Sequence, residues 1–356
     1  MSLRLPASEI ASITARRICI IKPSALGDVV QSLPLLPALR RRFPEATIDW
    51  VINGDFAGLL DGHPELANVI PFDRRGSWRD FVRLLRHLRQ RQYDLVFDLQ
   101  GLLRSAIMTL ATGAPYRVGL ETAREGAGWA SHVTVPGTAR DIPAHQRFRA
   151  IVAALGAASL PSDSGLFIPA KARAWARETL QSLPRPILAI HAGAGWETKR
   201  WPAEKFAEVA GRFSGSVVAV GSRGEAALAA RIVAKGAGSG RSALDLAGAT
   251  NLSQLAAVLE NVDVMLSNDS GPLHLAAAAG TPVVGIFTCT SPVISGPSGS
   301  GHELVTTTVP CAASYCKRCP QRAPAHMACL QEVSVERVAQ AVERICERLP
   351  MRRHSA

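Results

Sequence analysis

The chain has 356 residues, a length that exceeds one ordinary hydrophobic core and predicts two domains. Apolar residues make up 47% of it and no long low-complexity tract interrupts them, which excludes a disordered or fibrous protein. The formal net charge of +11 indicates an anionic partner, which could be nucleic acid, an anionic lipid surface or a phosphorylated substrate.

The N-terminal stretch MSLRLPASEIASITARR has no continuous apolar segment and no convincing cleavage site, which argues against secretion. The chain has 7 cysteines, an odd number, and Cys19 lies in an apparent core strand. This favours a reducing compartment over a disulfide framework. We therefore expect a cytoplasmic protein.

Short apolar segments alternate with helical patterns along the whole chain, which predicts a parallel α/β architecture. In the first half the predicted strands are residues 17–22, 47–52, 68–72, 94–99 and 116–120. An arginine-rich segment between the third and fourth strands has apolar residues at helical spacing: Phe81, Leu84, Leu85 and Leu88. Its arginines form either a solvated helix face or a binding surface, and no nucleic-acid recognition motif accompanies them.

The first loop with candidate chemistry is IIKPSALGDVV, in which a strand ends near Lys22 and Asp28 stands near a helix start. It is not a G-x-G-x-x-G fingerprint, so nicotinamide binding loses its main support. Asp28 is either an N-cap that satisfies free amides or a carboxylate that takes a proton from a hydroxyl group.

The second half repeats the alternation after a candidate linker at residues 154–175 that is rich in small residues and proline. Its predicted strands are residues 186–193, 216–222, 243–248, 262–269 and 281–287, with helices near 202–213, 223–235, 252–260, 271–279 and 334–349. The sequence therefore predicts two Rossmann-like, doubly wound domains that face a cleft. We expect domains at residues 1–165 and 166–332, and a C-terminal helix within 333–356 that can pack back on the first domain.

Two loops of the second half could bind a nucleotide. In HAGAGWETKRWP, glycines allow a backbone-lined pocket, and Lys199 either meets a phosphate or is solvated. In VGSRGE, Glu225 either binds a ribose diol or complements a helix dipole as a first-turn glutamate.

A third loop, SNDSGPLHL, opens a run without Asp, Glu, Lys or Arg from residue 270 to residue 302. Proline and glycine interrupt this run, so we expect buried core and not a membrane span. Free amides after Ser270 and Gly271 suit a diphosphate at the start of a helix. Alternatively, Asp269 or Ser270 is an N-cap.

Six segments carry a family resemblance: KPSALGDVVQSLPLLPALRRRFPEATIDWVI, DLQGLLRS, TARE, HAGAGWETKRWP, LAGATNLSQLAAVL and SNDSGPLHLAAAAGTPVVGIF. In this order they resemble the signatures of glycosyltransferase family 9, the ADP-heptose:lipopolysaccharide heptosyltransferases. GLLRS, YRVGLETARE and HQRFRAIVAALG are more similar to heptosyltransferase I than to heptosyltransferase II. The resemblance implies a glycosyltransferase B fold and inverting transfer of heptose from ADP-L-glycero-D-manno-heptose to the Kdo of lipid A, without a catalytic metal or cofactor.

The resemblance also implies site residues. Asp28 would be the general base, and Lys199 would stabilise the ADP leaving group. Donor-binding positions are Gly193, Ala194, Glu225, Asp269, Ser270, Gly271 and His274, with backbone amides of the first two replacing hydroxylated side chains of some members. Acceptor-binding positions are Arg74, Arg75, Arg79 and Arg124, which would meet carboxylates or phosphates.

The implied partners are ADP-heptose, a Kdo-lipid A acceptor and the anionic cytoplasmic face of the inner membrane, and no nucleic acid is expected. The main alternatives are a family 9 enzyme with another acceptor, such as that of heptosyltransferase II or another glycan, and a non-catalytic nucleotide-sugar binding protein. Four clustered cysteines, Cys311, Cys316, Cys319 and Cys329, either bind a structural metal or are free thiols or a labile disulfide.

Overall fold

The computed structural model describes residues 7–157 and 164–349. These residues form two compact units, of which the first ends at Phe167 and the second begins at Ile168. Within the described ranges, no helix combines the length and the apolar character that a bilayer span requires. The uncharged run after Asp269 forms a helix and a fully buried strand, as expected for core, and then a short helical turn, Pro292–Ser295, in which no residue is buried.

The first unit is a parallel sheet with helices between the strands. Its strands are β1 (Arg17–Ile21), β2 (Thr47–Asn53), β3 (Asn68–Phe72), β4 (Leu95–Asp98), β5 (Tyr116–Leu120) and β6 (Val133–Val135). Its helices are α1 (Leu26–Ser32), α2 (Leu35–Arg42), α3 (Gly54–Ala57), α4 (Trp78–Gln90), α5 (Leu103–Thr112) and α6 (Ala144–Ala154). Two 3-10 helices cover Ala7–Ser12 and Ala127–Ala130.

The second unit repeats this plan. Its strands are β7 (Ile187–His191), β8 (Ser216–Ala219), β9 (Ala243–Asp245), β10 (Val264–Asn268), β11 (Val283–Phe287) and β12 (Glu303–Thr306). Its helices are α7 (Ala170–Leu180), α8 (Ala203–Arg212), α9 (Ala226–Gly236), α10 (Leu252–Asn261), α11 (Gly271–Ala278), α12 (Pro292–Ser295), α13 (Ala328–Glu332) and α14 (Val335–Arg348). Its 3-10 helices cover Glu197–Lys199, Arg223–Glu225 and Gly238–Gly240.

The two sheets have the same strand order. In the described chain the first reads β3-β2-β1-β4-β5-β6, and the second, from its other end, β9-β8-β7-β10-β11-β12. This is the doubly wound Rossmann order. The first three strands are added toward one edge of the sheet, and the fourth strand is added on the other side of the first, so the order of addition reverses between these two strands. Ligands bind in the crevice that such a reversal leaves at the carboxyl ends of the strands. The topology therefore points to the loops after β1 and β4, and after β7 and β10.

The central strands are apolar because both of their faces are covered by helices. Residues 18–21 of β1 are buried, as are all residues of β7, β10 and β11. The amphipathic helix α4 places Leu88 in the first core, with Phe81, Leu84 and Leu85 packed against it. This confirms the helix that the apolar spacing predicts.

The structure differs from the sequence prediction in three places. The short strands β6 and β12 were not predicted, since neither carries a run of apolar residues long enough to recognise. The predicted linker is too long, because α6 includes Ala154 and α7 starts at Ala170; its residues 158–163 lie outside the described residues.

The third difference concerns the last helix, α14. Its apolar face, which includes Val338, Val342 and Ile345, is buried in the core of the second unit. It packs against α8, β10, β11 and β12. This face of residues 335–348 completes the apolar layer on the second sheet, and these contacts do not support the expected packing of the helix on the first domain.

Candidate active site

In the first unit, a candidate site lies where β1 ends and the chain turns into α1. The side chain of Lys22 is only 6% exposed, and its Nζ lies 3.3 Å from Oδ2 of Asp28. The same Nζ donates to Oε1 of Gln100, which follows β4, at 3.5 Å. The loops after β1 and β4 meet because these strands are parallel neighbours in the sheet.

Asp28 is the third residue of α1 and not its N-cap. The helix begins at Leu26, and Ala25 is the N-cap. The N-cap interpretation of Asp28 is therefore wrong, because the helix begins before the carboxylate and the side chain extends toward Lys22. The Asp28 side chain is 49% exposed, so a substrate hydroxyl group can reach it.

A second carboxylate, that of Asp98, stabilises the loop after β4. Asp98, at the end of β4, is buried and accepts hydrogen bonds from the amides of Gln100 and Gly101 and from the hydroxyl of Ser105 at 2.9–3.0 Å. Burial raises the pKa of Asp98, while these hydrogen bonds and the charge of Lys22 oppose the rise. Asp98 therefore fixes the loop that presents Gln100 to Lys22.

The predicted acceptor arginines all follow strands of the first sheet. Arg74 and Arg75 lie in the turn after β3, Arg79 in the first turn of α4, and Arg124 in the loop after β5. All four are exposed. The loops are joined, since Arg124 N donates to the carbonyl of Gly101, in the loop after β4, at 2.8 Å.

In the second unit, another candidate site lies where β7 and β10 end. His191 is buried, and its Nδ1 lies 3.2 Å from Oγ of Ser270 and 3.3 Å from Oγ of Ser267. Its Nε2 lies 3.5 Å from Oε1 of Glu225. His191 therefore connects the loop after β8 to the start of α11.

Glu225 lies near the start of a helix, as the interpretation of a first-turn glutamate expects. Its Oε2 accepts from both the amide and the hydroxyl of Ser222 at 2.7 Å, which closes a capping box. The hydrogen bond from His191, opposed by partial burial and aided by Ser222, lowers the pKa of Glu225 to about 2. The carboxylate is thus ionised and fixed in place.

Gly193 is required for this close approach. A Cβ at position 193 would lie 1.6 Å from Oε1 of Glu225 and 3.0 Å from Nε2 of His191. The neighbouring Ala194 accepts a hydrogen bond from Nε of Arg200 at 2.7 Å through its carbonyl, which closes the loop on itself.

Lys199 and Asp269 form a buried ion pair. Nζ of Lys199 lies 2.6 Å from Oδ2 of Asp269, and Oγ1 of Thr290 donates to the same oxygen at 2.7 Å. Nε2 of His274 lies 3.7 Å from the other carboxylate oxygen. Burial raises the pKa of Asp269, but His274 and Lys199 together lower it to about 2.

The ion pair between Asp269 and Lys199 was not predicted from the sequence. The lysine is separated from Asp269 by 70 positions, and the two meet because β7 and β10 are neighbours. Nδ1 of His274 is buried and has no hydrogen-bond partner among residues 7–157 and 164–349. It is therefore available to a ligand that reaches this pocket.

The start of α11 has the features of an anion site. Ser270 is the N-cap, but within the described chain its side chain makes no capping bond, since Oγ contacts Ser267 at 2.9 Å and His191 instead. The first helical amides therefore lack the side-chain acceptor that the N-cap alternative requires. These amides and the helix dipole favour a negatively charged ligand group.

Comparison with known proteins identifies the family. The model of glycosyltransferase family 9 (heptosyltransferase) matches residues 81–323. The chain belongs to glycosyltransferase family 9. The lipopolysaccharide heptosyltransferase 1 of Pseudomonas aeruginosa is 31% identical over 85% of this chain and 87% of its own length. The lipopolysaccharide core heptosyltransferase OpsX of Haemophilus influenzae is 28% identical over 82% of this chain and 84% of its own.

A solved structure supports the fold of this family 9 glycosyltransferase. The structure of Escherichia coli ADP-heptose lps heptosyltransferase II superimposes with a TM-score of 0.74 at 24% identity, covering 92% of this chain and 98% of that one. The two parallel sheets therefore form the glycosyltransferase B fold that the resemblance implied.

Sequence reasoning did not select four residues that the structure places at the candidate sites: Lys22, His191, Asn268 and Thr290. Asn268 is fully buried, donates to the carbonyl of Ala192 at 2.8 Å and accepts from the amide of Trp201 at 3.1 Å, so it ties the lysine loop to β10. Three of the four are polar residues at or just after the carboxyl end of a buried strand. That position was the available signal.

The cysteine-rich segment packs beside the donor loops. The carbonyl of Cys316 accepts from Oγ1 of Thr198 at 2.7 Å, and the amide of Tyr315 donates to the carbonyl of Cys289 at 2.7 Å. Cys311, Cys316, Cys319 and Cys329 are free thiols. In the part of the chain that the structure describes, no group of three or more metal-binding side chains is suited to hold an ion.

Proposed function

We propose that this protein is an inverting heptosyltransferase that moves heptose from ADP-L-glycero-D-manno-heptose to the Kdo of lipid A during lipopolysaccharide inner-core synthesis. The observation that carries the proposal is the pairing of Asp28 with the buried Lys22, at the point where the strand order of the first sheet reverses. It supplies a positioned base, which a passive nucleotide-sugar binding protein does not need. The P. aeruginosa relative named above supports the choice of substrate.

The second unit binds the donor in this proposal. The amides of Ser270 and Gly271 and the ammonium group of Lys199 hold the diphosphate, with backbone groups of Gly193 and Ala194 beside it. Lys199 gives up part of its contact with Asp269 as the phosphate arrives. Glu225 accepts hydrogen bonds from the ribose hydroxyls, and Asp269 and His274 complete the donor pocket.

The first unit supplies the base. The carboxylate of Asp28 takes the proton of the acceptor hydroxyl group, and the hydroxyl oxygen forms a bond to the anomeric carbon of the heptose. The bond from that carbon to the β-phosphate oxygen breaks on the opposite face, and its electron pair leaves with ADP. Configuration at the anomeric carbon inverts. Lys199 and the start of α11 stabilise the charge that develops on the diphosphate.

Arg74, Arg75, Arg79 and Arg124 bind the anionic acceptor. Guanidinium groups suit the bidentate recognition of carboxylates and phosphates, which Kdo and lipid A both carry. The acceptor places the enzyme at the cytoplasmic face of the inner membrane, where the net charge of +11 favours contact with anionic lipid.

The test is to supply purified protein with ADP-heptose and either Kdo-lipid A or its singly heptosylated form. The proposal predicts that Kdo-lipid A gains one heptosyl residue by mass spectrometry and that ADP release requires both substrates. The heptosyltransferase II-like alternative predicts transfer only to the heptosylated acceptor. Binding of ADP-heptose without transfer to either acceptor would contradict both.

A further inference from the structure

The first unit exposes three large apolar side chains on one edge. Among its described residues, Trp78 is 72% exposed, Trp129 is 54% exposed and Leu103 is 46% exposed. Trp78 begins α4, Leu103 begins α5, and Trp129 belongs to the 3-10 helix after β5. All three therefore follow strands at the carboxyl edge of the same sheet. We name these residues the tryptophan patch.

Contacts between the three loops make the tryptophan patch one surface. Nη1 of Arg104 donates to the carbonyl of Arg74 at 3.2 Å, which joins the start of α5 to the turn before α4. The amide of Leu103 donates to Oε2 of Glu125 at 3.1 Å, which joins α5 to the loop before Trp129. Behind the surface, Ala106 of α5 packs against Ala127 and Ala130.

The turn before α4 and its first helical turn, around Trp78, are basic. Residues 73–80 contain 3 arginines, Arg74, Arg75 and Arg79, and 2 aspartates. Both aspartates serve local structure: Asp73 accepts from the amide of Arg75, and Asp80 caps α4 and pairs with Arg83 at 2.8 Å. The guanidinium of Arg79 lies 5.9 Å from the ring centre of Trp78. Trp78 therefore lies beside an exposed arginine at the start of α4.

We propose that the tryptophan patch docks the protein on an anionic lipid bilayer. The inference rests on the proposed function only in that the acceptor is a lipid. Indole side chains partition to the bilayer interface, where one end is apolar and the other is wet. Each arginine near an anionic surface adds about 1 kcal/mol of attraction. The two contributions together give reversible docking, which neither gives alone.

The composition of the patch favours a bilayer over the other anionic partner, RNA. Aromatic rings and arginines also bind single-stranded nucleic acid by stacking. Leu103, however, presents an exposed aliphatic side chain at the start of α5, which cannot stack on a base and can enter the acyl region. The test therefore includes RNA as a competing outcome.

The experiment is co-sedimentation of the full-length protein with vesicles of phosphatidylethanolamine and phosphatidylglycerol, compared with phosphatidylcholine alone. The test variant is the double substitution Trp78→Ser and Trp129→Ser. The matched control is Val293→Ser, which removes an apolar side chain that is 71% exposed in the second unit. We expect the double variant to bind anionic vesicles about tenfold more weakly, while the control binds as the wild type does. Equal binding of double variant and wild type would overturn the proposal, as would a preference for single-stranded RNA over vesicles.

A parallel assay separates this inference from the proposed function. Transfer is measured on a water-soluble, deacylated acceptor and on the same acceptor embedded in anionic vesicles. Docking predicts that the double variant keeps its rate on the soluble acceptor and loses about tenfold on the embedded one. Wild-type transfer to the soluble acceptor with no vesicle binding would refute the docking surface and leave the proposed function intact. Vesicle binding without any transfer would refute the proposed function alone.

Discussion

At the scale of single residues, two buried cations organise the site. Lys22 holds the carboxylate of Asp28, and Lys199 holds that of Asp269. Burying a lysine is costly unless an opposite charge compensates it, so each pair is fixed in its geometry. In the first pair the carboxylate remains half exposed, and in the second it is buried. The difference suits a base that meets substrate in one case and a support for a cation in the other.

Replacing Lys22 should slow the chemical step and leave binding of the donor unchanged. We expect Lys22→Met to lower kcat about tenfold or more, because Asp28 loses the hydrogen bond that orients it. The dissociation constant for ADP-heptose, measured by calorimetry, should stay within about twofold. Lys171→Met, an exposed lysine of α7, is the control and should leave both quantities unchanged. A kcat equal to that of the wild type would remove Lys22 from the account.

The lowered pKa values of two carboxylates predict how the free energy of unfolding depends on pH. The pKa values of Asp269 and Glu225 are each lowered to about 2 in the folded protein. A carboxylate with a lowered pKa stabilises the fold fully above its unfolded pKa of about 4, and this contribution disappears as pH falls toward 2. For Asp269 the contribution is on the order of 2 kcal/mol.

Urea unfolding between pH 7 and pH 3 checks this dependence. The wild type should lose stability as pH falls below about 5, and Asp269→Asn should lose less over the same range because it lacks one titrating group. Glu347→Gln, an exposed carboxylate of α14, should follow the wild type. Parallel curves for the wild type and Asp269→Asn would show that the Lys199 contact does not govern this titration.

At the scale of elements, the proposed donor site of the second unit depends on how closely two loops approach each other. The loop after β7 passes beneath Glu225, at the start of the helical segment after β8, and only a glycine at position 193 leaves room for the carboxylate. Strand neighbours β7 and β8 bring these loops together. The same loop has a second glycine, Gly195, around which a Cβ would meet no atom within 4 Å.

This pair of glycines gives a matched test. Gly193→Ala should move the Glu225 carboxylate away from His191 and weaken ADP-heptose binding about tenfold, because the carboxylate is then no longer held in place. Gly195→Ala should bind the donor as the wild type does. Binding of ADP-heptose by both variants is measured by calorimetry. Equal affinities would mean that the position of Glu225 is irrelevant to the donor.

At the scale of the whole molecule, the alternation of strands and helices was predictable and the contacts across strands were not. The ten predicted strands are present. The central ones were recognisable because buried parallel strands are continuous apolar runs, whereas β12 buries only Val305 and has no such run. The loops with chemistry were found because they follow strands. The contact of Lys199 with Asp269 depends on strand order, which local sequence does not encode. The packing of α14 on the second sheet could not be predicted for the same reason. Its apolar face shows that the helix is buried on one side but does not specify which sheet it covers.

The central claim, that Asp28 is the base of a transfer reaction, is tested most directly by the rate of ADP release from ADP-heptose and Kdo-lipid A with Asp28→Asn. Asparagine keeps the shape of the side chain and removes its basicity. The account predicts a fall in kcat of about 10²- to 10⁴-fold with donor affinity unchanged, while Asp61→Asn, an exposed aspartate of the same unit, releases ADP at the wild-type rate. A rate for Asp28→Asn within a few-fold of the wild type would contradict the account.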